Sequence, residues 1–195
     1  MKKLGQISDI LTGLVVKRKQ ADQFEVDFSA YKLLTLKSLD QDGYLNSHRL
    51  EDFDSTEILD PKYLTKLNDV VIRLSSPYTA ILIREGEAGH IISSLFITIR
   101  NLDKRVLPEY LSILLNNEKI KQYLIKCSVG SKIQIVNTSS IKNIDIEIPN
   151  LEQQKKIIEI TILIKKEKRL FAELLKTKAK FNNELVNKLL GGELK

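Results

Sequence analysis

The chain has 195 residues, 43% of them apolar and 29% charged, which suits one domain with a core plus one extended element and excludes a disordered polymer. No apolar run is long enough to span a bilayer, and Gln6, Ser8 and Asp9 break up any apolar stretch behind Met1-Lys2-Lys3, so no membrane partner and a cytoplasmic location are expected. A single cysteine, Cys127, and two distant histidines, His48 and His90, offer neither an internal disulfide nor metal-ligand spacing, while a net charge of +6 favours a polyanionic partner.

Along the chain, Lys17, Arg18 and Lys19 form a basic cluster beside a turn. It is suited to phosphate contact or, equally, to a solvated face. Asp42-Gly43 marks a turn, as do Gly86 and Gly89. Residues 70–72, 80–83 and 95–99 are short β-prone runs between turn formers. Pro108 opens a helix whose apolar side carries Leu111, Leu114, Leu115 and Leu124, ending before Gly130. Residues 132–135 and 144–148 alternate apolar and polar side chains, as half-buried strands do. The expected architecture is therefore an α/β (α+β) domain with a small mixed sheet and irregular loops over residues 1–149.

Residues 150–195 read differently. Asn150 and Gln153 form a capping-box pair. Ile157, Ile160, Ile164, Phe171, Leu174, Phe181, Leu185 and Leu189 then recur at three- and four-residue steps up to a Gly191-Gly192 stop. One helix over 150–191 would be roughly 60 Å long at about 1.5 Å per residue, too long for a domain of this size to cover. Self-association, a partner protein, or a fold-back into two shorter helices would each cover the apolar stripe.

Residues 130–157, beginning Gly130-Ser131-Lys132-Ile133-Gln134 and running through a strand to Pro149-Asn150-Leu151-Glu152-Gln153-Gln154, resemble the end of a target-recognition domain in type I restriction–modification specificity subunits. Residues 7–14, 34–39, 43–45 and 67–73 resemble earlier segments of that family in the same order. The resemblance implies a non-catalytic subunit that reads one half of a bipartite double-stranded DNA site from the major groove. It further implies partner modification subunits that bind S-adenosylmethionine and methylate a flipped adenine, with a restriction subunit as a further partner and no cofactor in this chain. Family members usually carry two recognition domains and two long helices. This chain has one of each, a half-length form that would pair with a second copy through antiparallel coiled-coil helices.

Candidate DNA contacts are Lys17, Arg18 and Lys19; Arg73, Ser75, Ser76 and Tyr78 at a strand-to-loop position; and Ser131, Lys132 and Gln134, where glutamine can read adenine with two hydrogen bonds. The other reading of Gly130, Ser131 and Gln134 is a braced turn. Arg49 and Arg84 are further options, and Lys165, Lys166, Lys168 and Arg169 form a basic run on the long helix. Ser76-Pro77-Tyr78 partly resembles the Asp/Asn-Pro-Pro-Tyr element of adenine methyltransferases, one proline short and without a Gly-rich cofactor loop. The alternative to sequence reading is a scaffold or decoy that docks the modification subunit through its helix without reading DNA.

Overall fold

A computed structural model of the chain describes residues 1–21, 29–40, 42–128 and 135–191. Two compact units divide at Lys155 and Lys156. The first contains β1 (Lys2–Lys3), β2 (Asp9–Thr12), β3 (Ser29–Leu34), β4 (Glu51–Ser55), β5 (Val70–Arg73), β6 (Ala80–Leu82), β7 (Ile91–Ile92) and β8 (Phe96–Arg100). The helices α1 (Pro108–Leu115), α2 (Glu118–Ser128) and α3 (Thr138–Lys142) and the strand β9 (Asp145–Ile146) follow, before the long helix α4 (Leu151–Leu189) begins. The expected mixed α/β domain and single long helix are both present.

Among the described residues the strands form three small sheets. Four antiparallel strands lie in the order β2-β8-β5-β6, and three lie in the order β4-β3-β7, with β3 antiparallel to β4 and parallel to β7. The pair β1-β9 ties the start of the chain to the segment before α4. Alternation along β3 sends Leu33 and Leu34 to opposite sides. Leu34 joins Val71, Ile81, Ile83, Ile92 and Phe96 in a core shared by the two larger sheets, while Leu33 packs with Leu14, Phe53, Leu59 and Ile91. Val70, Val71 and Ile72 are all fully buried, so β5 is covered on both faces and its sequence is continuously apolar.

The two sheets meet where the chain leaves β2. Gly13 donates its N–H to the Phe96 carbonyl at the start of β8, and Leu14 donates to the Ile92 carbonyl of β7, at 3.2 and 2.7 Å. A Cβ at position 13 would lie 2.1 Å from the Ser93 carbonyl oxygen, so the crossing demands glycine.

Two expectations are corrected here. The helix from Pro108 does not run unbroken towards Gly130: it stops at Leu115, and α2 begins at Glu118. Asn116 causes the break by turning its side-chain amide onto β6, accepting from Ala80 N–H and donating to the carbonyls of Ala80 and Ser112. The strand expected over 144–148 narrows to Asp145–Ile146, because its two-residue partner β1 offers no longer ladder.

A buried ion pair closes the far end of the four-stranded sheet. Arg100 grips Asp69 through two hydrogen bonds of 2.9 and 2.6 Å and also donates to the Leu64 carbonyl. Asp69 additionally accepts from Lys66 N–H at 2.8 Å. With both partners buried, removing one strands a charge. Asp69→Ala is expected to lower unfolding free energy by about 3–5 kcal/mol, measured by denaturant titration of the purified chain; a change below about 1 kcal/mol would show that the pair is dispensable.

Candidate nucleic-acid interface

One end of the four-stranded sheet gathers chain from four places. Arg73, the last residue of β5, pairs across from Phe96, the first of β8, and Phe96 in turn receives Gly13 N–H. Beyond Arg73, Leu74 bonds both to Leu95, through its N–H, and to Val136, through its carbonyl. Ser75 forms a bridge to Ile135. The hydroxyls of Thr12 and Thr138 lie 3.4 Å apart at the same end. Segments around residues 12–14, 73–78, 93–96 and 135–138 thus converge.

Within this cluster Arg73, Ser75 and Ser76 share one turn. Arg73 is half-buried and donates from Nη2 to Ser75 Oγ at 3.1 Å. Its Nε–H is shielded from solvent and has no acceptor among the described residues, and burial pulls its pKa below the ordinary arginine value. Ser76 and Pro77 are exposed.

Tyr78 does not belong with these contacts. Its side chain is 1% exposed, its backbone is in the left-handed region with φ of 54°, and its hydroxyl donates to Ser128 Oγ at 3.0 Å. An aromatic side chain beside polar Ser75 and Ser76 looked like a loop contact, but it is the buried pin that holds the turn. Ser131, Lys132 and Gln134 lie outside the described residues. The residues that bracket that segment, Ser128 and Ile135, are bonded to Tyr78 and Ser75 respectively.

The basic cluster stands elsewhere. Lys17 and Arg18 are exposed on a single 3-10 turn. Lys19 is held by Glu57 at 2.7 Å, with its carbonyl bonded to Thr56 N–H past the end of β4. The cluster therefore rides on the three-stranded sheet, not on the Arg73 turn, and Lys19 has its charge matched. Arg84 stacks its guanidinium 4.8 Å from the Tyr44 ring centroid, and Arg49 is exposed.

The start of α4 is anchored by a residue that the sequence reading used only as part of a motif. Asn150 and Gln153 form the expected reciprocal cap, at 2.8 and 3.3 Å. Gln154 is fully buried; it accepts from Leu107 N–H and donates to the carbonyls of Arg105 and Pro149. The doubled glutamine was its one visible signal.

In the second unit, described by itself, α4 continues unbroken to Leu189. Ile157, Ile160, Ile164, Phe171, Leu174, Phe181, Leu185 and Leu189 are all exposed. Ile157, Ile164, Phe171 and Leu185 fall on one seven-residue repeat, and Ile160, Leu174 and Phe181 on another. Glu167 and Lys178 occupy the positions that the two repeats leave open. This is the spacing of a left-handed coiled-coil seam.

A family model described as the type I restriction modification DNA specificity domain matches residues 1–176, spanning the strand domain and most of the helix. The chain belongs to this family. The family is the DNA-recognition, non-catalytic component of such systems. Among solved structures, a chain from a study of complex assembly and conformational transition in the type I R-M system superposes on the specificity domain with a TM-score of 0.70 at 19% identity, covering 98% of this chain and 48% of that one. The HsdS subunit of Thermoanaerobacter tengcongensis gives 0.67 at 18% identity, covering 94% and 46%. These likenesses establish the fold, and the specificity domain spans about half the length of either solved chain. No curated protein matches it in sequence. Among the described residues no helix is long and apolar enough to cross a membrane, and no group of three or more His, Cys, Asp or Glu is placed to hold a metal ion.

The place of Tyr78 gives a direct test. Tyr78→Phe is expected to lower stability by about 1 kcal/mol through the lost hydroxyl bond, and Tyr78→Ala by about 3–5 kcal/mol through the cavity. Thermal and denaturant melts without any DNA would show both; stability unchanged in Tyr78→Ala would mean that the side chain is not in the core.

Proposed function

We propose that the chain is the sequence-reading subunit of a type I restriction–modification complex and works as a pair of identical half-subunits. The observation that carries the reading is the family match, which runs through both the strand domain and the helix. In this reading the end of the four-stranded sheet faces DNA, with Arg73, Ser75 and Ser76 towards the bases; Ser131, Lys132 and Gln134 are kept as candidate contacts on their residue types alone. Lys17 and Arg18 meet phosphates, where a mobile cation suffices. The chain supplies no chemistry. Partner modification subunits bind S-adenosylmethionine and methylate adenine, a restriction subunit joins for cleavage, and the assembly acts on DNA in the cytoplasm.

Pairing follows from the exposed stripe of α4. At about 1 kcal/mol per side chain, half the value of full burial, two copies of the seven seam residues gain on the order of 14 kcal/mol. Association costs about 4–15 kcal/mol, so the gain matches or exceeds it. A twofold pair presents the same surface twice in opposite directions, so its two half-sites are identical and inverted.

Mapping methylated adenines after co-expression with the modification subunit of its own system tests the proposal. The expected result is a bipartite motif with two identical, inverted halves. A stable complex without methylation would replace this reading with a non-reading scaffold or decoy. Separately, Phe171→Glu with Leu174→Lys should convert a dimer to a monomer by sedimentation while the strand domain keeps its melting temperature; a variant still dimeric would rule out pairing through α4. Replacing Lys17 and Arg18 by alanine should weaken DNA binding and lower the slope of log affinity against log salt by up to about 2. An unchanged slope would remove both from the phosphate contacts.

A further inference from the structure

We infer that Arg73 is a base-reading residue of this domain and that its target is a guanine edge in the major groove. The inference rests on the reading of the chain as a DNA recognition subunit and adds to it a named base and a named side chain.

The argument begins with two arginines on neighbouring strands of one sheet. Arg100 is buried and fully matched: a carboxylate accepts two of its hydrogen bonds and a carbonyl accepts another. Arg73 is half-buried, and its guanidinium makes one hydrogen bond among the described residues, to a serine hydroxyl. Its Nε–H sits out of solvent with no acceptor among the described residues. Shielding a cation in this way is unfavourable unless acceptors are supplied. Three lysines near the surface have found carboxylates, Lys3 with Asp145, Lys19 with Glu57 and Lys32 with Asp52, while Arg84 shares with Arg73 a shielded nitrogen without an acceptor among the described residues. Arg73 stands at a converging end of the sheet with terminal nitrogens that, among the described residues, meet one serine hydroxyl, and it is these that an acceptor from outside the chain would reach.

The geometry then selects the class of acceptor. Val70, Val71 and Ile72, immediately before Arg73, are fully buried in a central strand, so the base of the side chain is fixed. Alternation places Arg73 on the face of Val71, and it is directly opposite buried Phe96. Ser75 Oγ holds Nη2 at 3.1 Å, and Ser75 is itself pinned by Tyr78 N–H and by the bridge to Ile135. A guanidinium held at both its root and its tip presents a flat fork of N–H groups in one orientation. That suits two coplanar acceptors at fixed spacing, which guanine offers as O6 and N7. Phosphate can take the same fork through two of its oxygens, but it needs no pre-set orientation, and the exposed side chains of Lys17 and Arg18 can serve it equally. Holding the fork before DNA arrives also reduces the ordering lost on binding.

The test uses the complete chain with its modification subunit and maps methylated adenines for the wild type and for Arg73→Lys, Arg73→Ala and Ser75→Ala. Arg73→Lys keeps the charge and loses the fork. The expected result is a motif that becomes degenerate at one G·C position in each half-site, with discrimination there reduced about 5- to 150-fold, all other positions retained, and the salt slope unchanged. Ser75→Ala should relax the same position more weakly. An unchanged motif in both Arg73 variants overturns the inference. So does uniform weakening at every sequence with the salt slope lowered by about one, which would make Arg73 a phosphate contact. If Arg73→Ala fails to fold and Ser75→Ala leaves the motif intact, Arg73 is a structural residue and the inference falls. A wild type that forms the complex but directs no methylation overturns the functional reading itself, an outcome distinct from an intact motif in the variants.

Discussion

The close approach of backbone at Gly13 is the constraint on which the rest of the domain depends. There the chain passes from β2 to the three-stranded sheet with no room for a side chain against the Ser93 carbonyl. The passage uses the first residue of β8 as its anchor, through the bond from Gly13 N–H to the Phe96 carbonyl. Phe96 is also the partner of Arg73. One row of backbone therefore joins the two larger sheets and sets the height at which β5 emerges. The packing follows from it: Leu34 and Ile92 on one sheet meet Val71, Ile81 and Phe96 on the other, which holds the end of β5 between two packed layers. A side chain fixed at that point inherits the rigidity of the core, as a residue in a free loop would not.

Rigidity there is maintained by a second, buried interaction. The Tyr78 ring fills the core, and its hydroxyl bond reaches the last residue of α2. The turn from Leu74 to Tyr78 is thus tied to the sheet at one side and to the helix layer at the other. Leu74 and Ser75 carry the pairing to Ile135 and Val136. Ser76 and Pro77 are the exposed residues of this turn, and Leu74 and Tyr78 on either side of them are buried. Separating support from contact in this way is what a recognition surface needs, since a change of reading must not cost the fold.

Much of this was legible in the sequence, and the rest was hidden for identifiable reasons. The helix cap at Asn150 and Gln153 is a local pattern, three residues apart, and was read correctly together with the stop near Gly191, whose φ is 72°. The runs that became β5, β6 and β8 are strongly apolar and β-branched, so their strand character was plain. The strand β4, Glu51–Ser55, was missed because it reads Glu-Asp-Phe-Asp-Ser, a composition disfavoured in strands, and is imposed by its pairing with β3. Asn116 broke a helix through contact with Ala80, 36 residues away in the chain, and Arg100 found Asp69 across 31 residues. No window of sequence contains either event. Tyr78 was misplaced because its neighbours are polar, and neighbours along the chain do not report depth.

In the proposed pair, the bases read and the distance between them are governed by different residues. Among the described residues, two core clusters of the strand domain draw their buried members from the chain between Leu14 and Phe96. The register of two α4 helices is set instead by what occupies the seam. Glu167 and Lys178 interrupt an otherwise apolar pair of repeats, and polar groups at such positions penalise registers that bury them unmatched. In an antiparallel pair each can approach its opposite charge from the other copy in some registers and not in others. In the pair as proposed, charge at the seam would set the register of the two helices, and donor geometry at the end of β5 would set the base read. A recognition system built this way can change its sequence without changing its spacing, and its spacing without changing its sequence.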